Sequence, residues 1–309
     1  MKYGLVELCV NVEGIRAARA TEAVRLAITR DPDGRAAAVR AALDRARDLG
    51  CGFVVFPGWT LVAHAPPLWL LDLSAGITVV AEMLFPDANT GGAAPRKGAR
   101  ESAPARAVKG ERLATDSDRP AWAAWDGFVI RDGRVVVGPC AQQVAEAPEL
   151  WDGDKLSPTG ARLVGCLAAH GSGGRQWEEP GVGGAMLVMC GEANVVGGGG
   201  PAECYQWDAV EAAGLTVEGL GRVRCVANPA HTASGPQALR DKRAWLSRGG
   251  VLLHTANTHG GGWQQERHGE ATSGRASYGA ARAWVRGEQQ ELKRHDGNGY
   301  AVVTFDGSP

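Results

Sequence analysis

Residues 31–58 read DPDGRAAAVRAALDRARDLGCGFVVFPG. Asp31 followed by Pro32 is an N-cap with proline at the first helical position. Val39, Leu43, Ala46 and Leu49 recur at helical spacing, and Gly50 stands where a helix ends in the left-handed conformation. Cys51 to Phe56 is then a short apolar run closed by Pro57-Gly58, the pattern of a buried strand. Upstream, Leu5 to Val12 is apolar and β-prone, and Ala17 to Thr29 is a second helical stretch. Strand, helix, strand is the unit that builds a parallel pair in an α/β sheet, because parallel strands need a long crossover.

The pattern continues outward from there. Ile77 to Leu84 reads as a strand. Residues 86–120 are rich in Ala, Gly, Pro, Arg and Lys with almost no large apolar residue, and read as an exposed or disordered insertion. Its arginines, from Arg96 to Arg112, read as a solvated loop. Trp122 to Ile130 and Arg134 to Val137, joined by Asp132-Gly133, read as a β-hairpin. Met186–Met189, Val223–Ala227, Val251–Ala256 and Ala301–Phe305 are further strands, and Pro236 to Ser247 is a helix. Strand–helix alternation with antiparallel hairpins suits a layered α/β fold with helices outside sheets. We read residues 1–309 as one domain.

The composition narrows the classes. The chain has 309 residues, 44% hydrophobic and 22% charged, with a formal net charge of −1. This is an ordinary globular composition with no nucleic-acid or membrane surface in it. Seven cysteines without a CxxC pair argue against a disulfide framework or zinc ribbon and for a reducing compartment. Without a signal peptide or a long apolar span, a cytoplasmic location is expected.

The segment with most chemistry in it is Gly184-Ala185-Met186-Leu187-Val188-Met189-Cys190-Gly191-Glu192-Ala193-Asn194. A short apolar strand ends in a cysteine, followed by glycine and an acid. A cysteine in such a turn is exposed at a sheet edge, with backbone N–H groups after it that can meet a developing oxyanion. That suits acyl or imidoyl transfer to sulfur. The plainer alternative is a small buried core residue.

Neighbouring segments give this turn a context. Val54-Val55-Phe56-Pro57 resembles the VVFPE segment of the nitrilase (carbon–nitrogen hydrolase) superfamily. Asp132-Gly133-Arg134-Val135-Val136 resembles that family's DGxVxGxYrK hairpin, and Cys190-Gly191-Glu192 its C-x-D/E nucleophile turn. Asn228-Pro229-Ala230-His231-Thr232 resembles the NPAxT segment, and Arg243-Ala244-Trp245-Leu246-Ser247 is similar to the helix after it. Asn257-Thr258-His259-Gly260-Gly261, with Ser273-Gly274-Arg275-Ala276-Ser277, resembles the late xN…G…GxS region. The anchors stand in family order over about residues 1–286. The resemblance implies a four-layer αββα sandwich and hydrolysis or condensation at a non-peptide C–N bond. It further implies a small-molecule substrate, no cofactor or metal, and assembly into homo-oligomers.

The resemblance also implies a Glu–Lys–Cys triad, and here the chain departs from it. The glutamate position is Gly58. The lysine position is Gln142 or its neighbour Gln143. Loss of a general base typically lowers a rate about 10²- to 10⁴-fold. Substitute groups are Glu149, Glu146 and Glu192, with Gln142 a weaker, neutral oxyanion donor. Gly191, Glu192 and Trp59 are candidates to line the pocket. His231, His254 and His259 raise a Cys–His alternative. For His231 a turn-capping role is the expected one, for His254 a core role, and metal binding by the three is not expected. Two readings stay open: a thiol hydrolase with a rearranged base, or a catalytically degenerate protein that binds a small molecule or a partner subunit. On the resemblance, Gly58→Glu with Gln142→Lys should restore an amidase.

Overall fold

The computed structural model describes residues 1–15, 20–86, 124–144, 149–153, 155–171, 173–196, 207–232, 242–260 and 281–307. In chain order its elements are β1 (Lys2–Asn11), α1 (Ala20–Arg30), α2 (Pro32–Asp48), β2 (Phe53–Val55), β3 (Leu61–Val62), α3 (Leu68–Leu73) and β4 (Thr78–Leu84). Then come β5 (Trp125–Arg131), β6 (Arg134–Ala141), β7 (Trp151–Asp152), β8 (Lys155–Leu156), α4 (Pro158–Ala168), β9 (Gln176–Glu179) and β10 (Gly183–Leu187). A 3₁₀ segment, Cys190–Val196, leads to α5 (Trp207–Ala212), α6 (Val217–Arg222), β11 (Cys225–Ala230), β12 (Val251–Ala256) and β13 (Thr258–Gly260). The last strands are β14 (Arg282–Val285), β15 (Glu288–Gln289), β16 (Lys293–Gly297) and β17 (Tyr300–Asp306).

Two mixed sheets carry the fold. The first runs β16-β17-β1-β2-β4-β5-β6, with β13 beside β1 and β3 beside β4; the second runs β15-β14-β12-β11-β10-β9. Strands β1, β2 and β4 are parallel, as are β10, β11 and β12. Side chains alternate between faces along each strand. Tyr3, Leu5, Phe53, Val55 and Val80 of the first sheet therefore meet Ala185, Leu187, Ala227, Leu253 and Ala283 of the second in one core. The opposite parity, Val6, Leu8, Val54 and Val79, packs on Val39, Leu43 and Ala46 of α2 and Leu70 of α3. On the far side, Met186, Val226 and Leu252 pack on Leu163, Val164 and Leu167 of α4, Val210 of α5 and Leu220 of α6. The result is four layers in the order αββα.

Local signals explain the boundaries. Asp31 caps α2 by accepting the Gly34 N–H at 3.0 Å, and Gly50 follows at φ +75°. Asp132 and Gly133 both have positive φ (+49° and +74°), the turn whose twist matches the strands of a hairpin. The insertion expected at 86–120 lies, after Pro86, outside the described residues, as does most of the helix expected over Pro236–Ser247, of which residues 242–246 are helical. No helix of the described residues is long and apolar enough to cross a membrane.

Candidate active site

The parallel strands of both sheets deliver their C-terminal ends to one place. Gly58, just past β2, donates its N–H to the carbonyl of Ala230 at the end of β11 (2.9 Å). Asn257, just past β12, donates to the carbonyls of Gly58 (2.8 Å) and His231 (2.9 Å). Val188, leading from β10 towards Cys190, is held by the Ala227 carbonyl at 2.9 Å. In open α/β sheets this edge is where ligands bind.

Cys190 opens the 3₁₀ segment and is partly exposed. Its neighbour is His231, whose ring faces the sulfur and whose protonated form the sulfur favours, as an acceptor of a ring N–H does. On its other side His231 Nε2 lies 2.8 Å from Glu82 Oε2. Thiol, imidazole and carboxylate thus stand in a row, the arrangement in which a base touches the nucleophile and is itself oriented by a third group. The imidazole lies flat on Trp59 (centroids 3.9 Å apart, 12° between planes) and edge-on to Trp125 (4.9 Å, 86°). Both Trp59 and His231 are buried.

This corrects the expectation for His231. The residue does hold a turn through its backbone carbonyl, but its ring belongs to the site. The ring also explains Gly58. A Cβ at position 58 would lie 2.4 Å from His231 Cδ2 and 3.0 Å from both Ala230 C and His231 N. The imidazole fills the space through which a side chain at position 58 would leave the backbone. Gly58→Glu with Gln142→Lys is therefore not a restoring change while His231 stays in place.

Glu82 was not among the sequence candidates. It sits in β4, Thr-Val-Val-Ala-Glu-Met-Leu, at the same parity as the core residues Val80 and Leu84, and is fully buried. β4 pairs with β2 through Val80 and Val55, so Glu82 lies one strand over from the Pro57-Gly58 turn. A lone carboxylate in an inward-facing apolar strand needs a partner, and that was the available signal. Besides His231 it accepts the Trp59 N–H at 3.1 Å.

Burial pulls the His231 pKa down, but Glu82, and then Cys190, outweigh it and raise it from 6.5 to about 10. The folded chain therefore holds this proton more tightly than the unfolded chain. Its contribution to stability is complete below about pH 6.5 and is lost as pH rises towards 10. The buried thiols Cys51, pushed up to about 11, and Cys225, also raised by burial, oppose the fold only above their ordinary value of 9.0. Between pH 7 and about 9 the slope belongs chiefly to His231. We expect the wild-type melting temperature to fall over that interval and the slope to flatten in Glu82→Gln. Equal slopes in thermal melts of the two proteins would contradict the His231–Glu82 pairing.

The other candidates fall in different places. Glu192 is fully buried and does not serve as a spare acid. Its carboxylate takes Arg175 Nη2 at 2.7 Å, the Gln143 N–H at 2.9 Å and the Met189 N–H at 3.0 Å. Burial pushes the Glu192 carboxyl's pKa up, and Arg175 and the two N–H groups oppose that by favouring the charged form. Burial alone would lower the Arg175 pKa, but Glu192 raises it. Gln142 turns its amide to Val144 O (2.8 Å) and Trp125 Nε1 (3.3 Å). Gln143 holds Ala141 O (3.0 Å). Glu149 accepts Ser157 Oγ through its backbone carbonyl (2.6 Å), and Glu146 lies outside the described residues. Gly191 follows Cys190 in the turn and is buried. His254 is a core histidine, with Nδ1 2.7 Å from Asn228 Oδ1 and its pKa lowered to about 3 by burial, then by Arg282. His259 pairs in β13 with Val10. No group of three or more His, Cys, Asp or Glu among the described residues is arranged to hold a metal.

No protein-family model matches the chain, and no curated protein is detectably similar to it in sequence. Among solved structures it is similar to a mutant of the amidase from Nesterenkonia sp. AN1 in which acrylamide has added to the active-site cysteine. That match has 12% identity and a TM-score of 0.45, and covers 99% of this chain and 92% of that one. It is similar to a glutamine-dependent NAD(+) synthetase from Cytophaga hutchinsonii at 11% identity and a TM-score of 0.42, spanning 42% of that chain. NitFhit of C. elegans is similar at 10% identity and a TM-score of 0.45, with 60% of that chain covered.

Proposed function

We propose that this chain is a divergent nitrilase-superfamily protein in which Cys190, His231 and Glu82 perform thiol-dependent hydrolysis of a non-peptide C–N bond. The observation that carries this reading is the position of His231, against both Cys190 and Glu82 and in the room that Gly58 leaves open. The ordered sequence anchors and the αββα layers support the family; the row of three groups supports chemistry.

The steps follow from proton positions. The Cys190 sulfur attacks the carbonyl carbon of an amide or carbamoyl compound as a thiolate, beside the imidazolium of His231, which already holds its proton. Glu82 keeps the imidazole oriented and offsets its positive charge. The Gly191 backbone N–H, next to the sulfur, is the donor available to the oxyanion. His231 then protonates the leaving nitrogen, the C–N bond breaks and a thioester remains on Cys190. In the second half the now neutral His231 takes a proton from water, hydroxide adds to the thioester, and carboxylic acid leaves with the thiolate restored beside the imidazolium. A nitrile adds the thiol across its C≡N bond to give a thioimidate, which takes up one water and expels ammonia to leave the same thioester.

The test is ammonia release from a panel of short amides, carbamoyl compounds and nitriles, with covalent adducts followed by mass spectrometry. Turnover by the wild type and none by Cys190→Ala is expected. Reversible binding with no adduct at Cys190 and no ammonia would favour the degenerate, ligand-binding reading that the missing lysine suggests.

A further inference from the structure

Arg35 lies on the side of α2 that packs over the loop following β2. Its guanidinium is buried and makes no ion pair with a carboxylate among the described residues. Nε donates to Thr60 O at 3.0 Å, and Nη2 to Trp59 O at 2.9 Å and Asn257 Oδ1 at 2.5 Å. Burying an arginine this way is unfavourable, and the desolvation drives its pKa down to about 9.

What it holds explains why it is there. Trp59 has φ +55°, in the left-handed region where a bulky side chain is strained. A backbone bent that way turns its carbonyls out of sheet pairing, so another donor must satisfy them. Arg35 supplies it to two successive carbonyls. The same guanidinium fixes Asn257, whose amide nitrogen holds Gly58 O and His231 O. Two paths thus run from Arg35 to the imidazole. One goes through the Trp59 backbone to the indole stacked on His231; the other goes through Asn257 to the His231 carbonyl.

We infer that Arg35 is a positioning residue, whose planar fork sets His231 against Cys190 through Trp59 and Asn257. This rests on the reading of Cys190, His231 and Glu82 as the reacting set. Lysine keeps the charge but cannot reach two carbonyls and an amide oxygen as a rigid fork does. Arg35→Lys therefore separates positioning from charge. The groups facing His231 are Glu82 from β4, Cys190 after β10, Trp59 after β2 and Trp125 from β5; the substitution removes none of them.

The experiment measures the rate of Cys190 alkylation by iodoacetamide against pH, resolved by peptide mapping, in the full chain. Wild type, Arg35→Lys and His231→Ala are each assayed well below their own melting temperatures. The wild type should react near pH 6 faster than free N-acetylcysteine, because a positively charged imidazole ring beside the sulfur favours the thiolate. Arg35→Lys should lose about tenfold near pH 6, moving towards His231→Ala, and converge with wild type near pH 9 where a thiol ionises unaided. A wild-type profile in Arg35→Lys, whatever its melting temperature, overturns the inference. A uniform loss at every pH overturns it too, since that reports access to the thiol. If His231→Ala and wild type share one profile, the reacting set itself fails, which is a separate result.

Discussion

Replacing His231 by alanine should lower turnover of any amide that the wild type hydrolyses by about 10²- to 10⁴-fold, the usual contribution of a positioned general acid–base. The argument is geometric. Among the described residues the imidazole connects the thiol with a carboxylate. Without it Glu82 is a buried acid that has lost its 2.8 Å partner, and the leaving nitrogen has no proton donor. The loss should appear in kcat more than in KM, because proton transfer is a transition-state contribution. The same substitution removes the ring atom 2.4 Å from a Cβ at position 58. In the alanine background, Gly58→Glu should be tolerated better than in the wild type, and its carboxylate can take up the base role. The check is a double-mutant cycle on melting temperature and amide hydrolysis. Unchanged turnover in His231→Ala, or a Gly58→Glu equally tolerated in both backgrounds, would remove His231 from the site.

Glu192→Ala should destabilise the fold by about 3–5 kcal/mol, the loss seen when one partner of a buried ion pair is removed. Arg175 would remain buried with its charge uncompensated, and its contacts with Met189 Sδ (3.0 Å) and Ala141 O (2.8 Å) do not replace a carboxylate. The N–H groups of Gln143 and Met189 would lose their acceptor as well. Against a total stability of roughly 5–15 kcal/mol this is a large fraction. Glu192→Gln, which keeps one acceptor oxygen, should lose less. Urea unfolding at neutral pH measures both. A loss below about 1 kcal/mol for the alanine variant would mean that the pair behaves as if solvated. Because Met189 immediately precedes Cys190, the pair also fixes the nucleophile's turn. Cys190 alkylation in Glu192→Gln should therefore become less dependent on His231.

The sequence by itself determined β1, α2, β2, β4, the β5–β6 hairpin, β12 and β17 to within a few residues, and its resemblance to a family implied the αββα layers. Asp31-Pro32 and Gly50 bound α2, Asp132-Gly133 turns the hairpin, and the inward and outward parities of β1 and β2 are written in their apolar residues. These signals are local: a cap, a turn and an alternation each act within a few residues. The Cys190 turn was legible for the same reason, and so was the vacancy at Gly58. The partners of that cysteine were not. Glu82 lies in β4 of one sheet, while His231 and Asn257 follow β11 and β12 of the other, and only the packing of those sheets brings them together. His231 read as a turn residue because its backbone does hold a turn; where its ring points depends on Trp59, Trp125 and Glu82, all distant in the chain. Glu192 read as a spare acid because its tie to Arg175 spans a β-hairpin. Cys190 was legible in its turn, but only the tertiary structure sets beside it a histidine that follows β11 of the second sheet and a carboxylate from β4 of the first, in the room that Gly58 leaves.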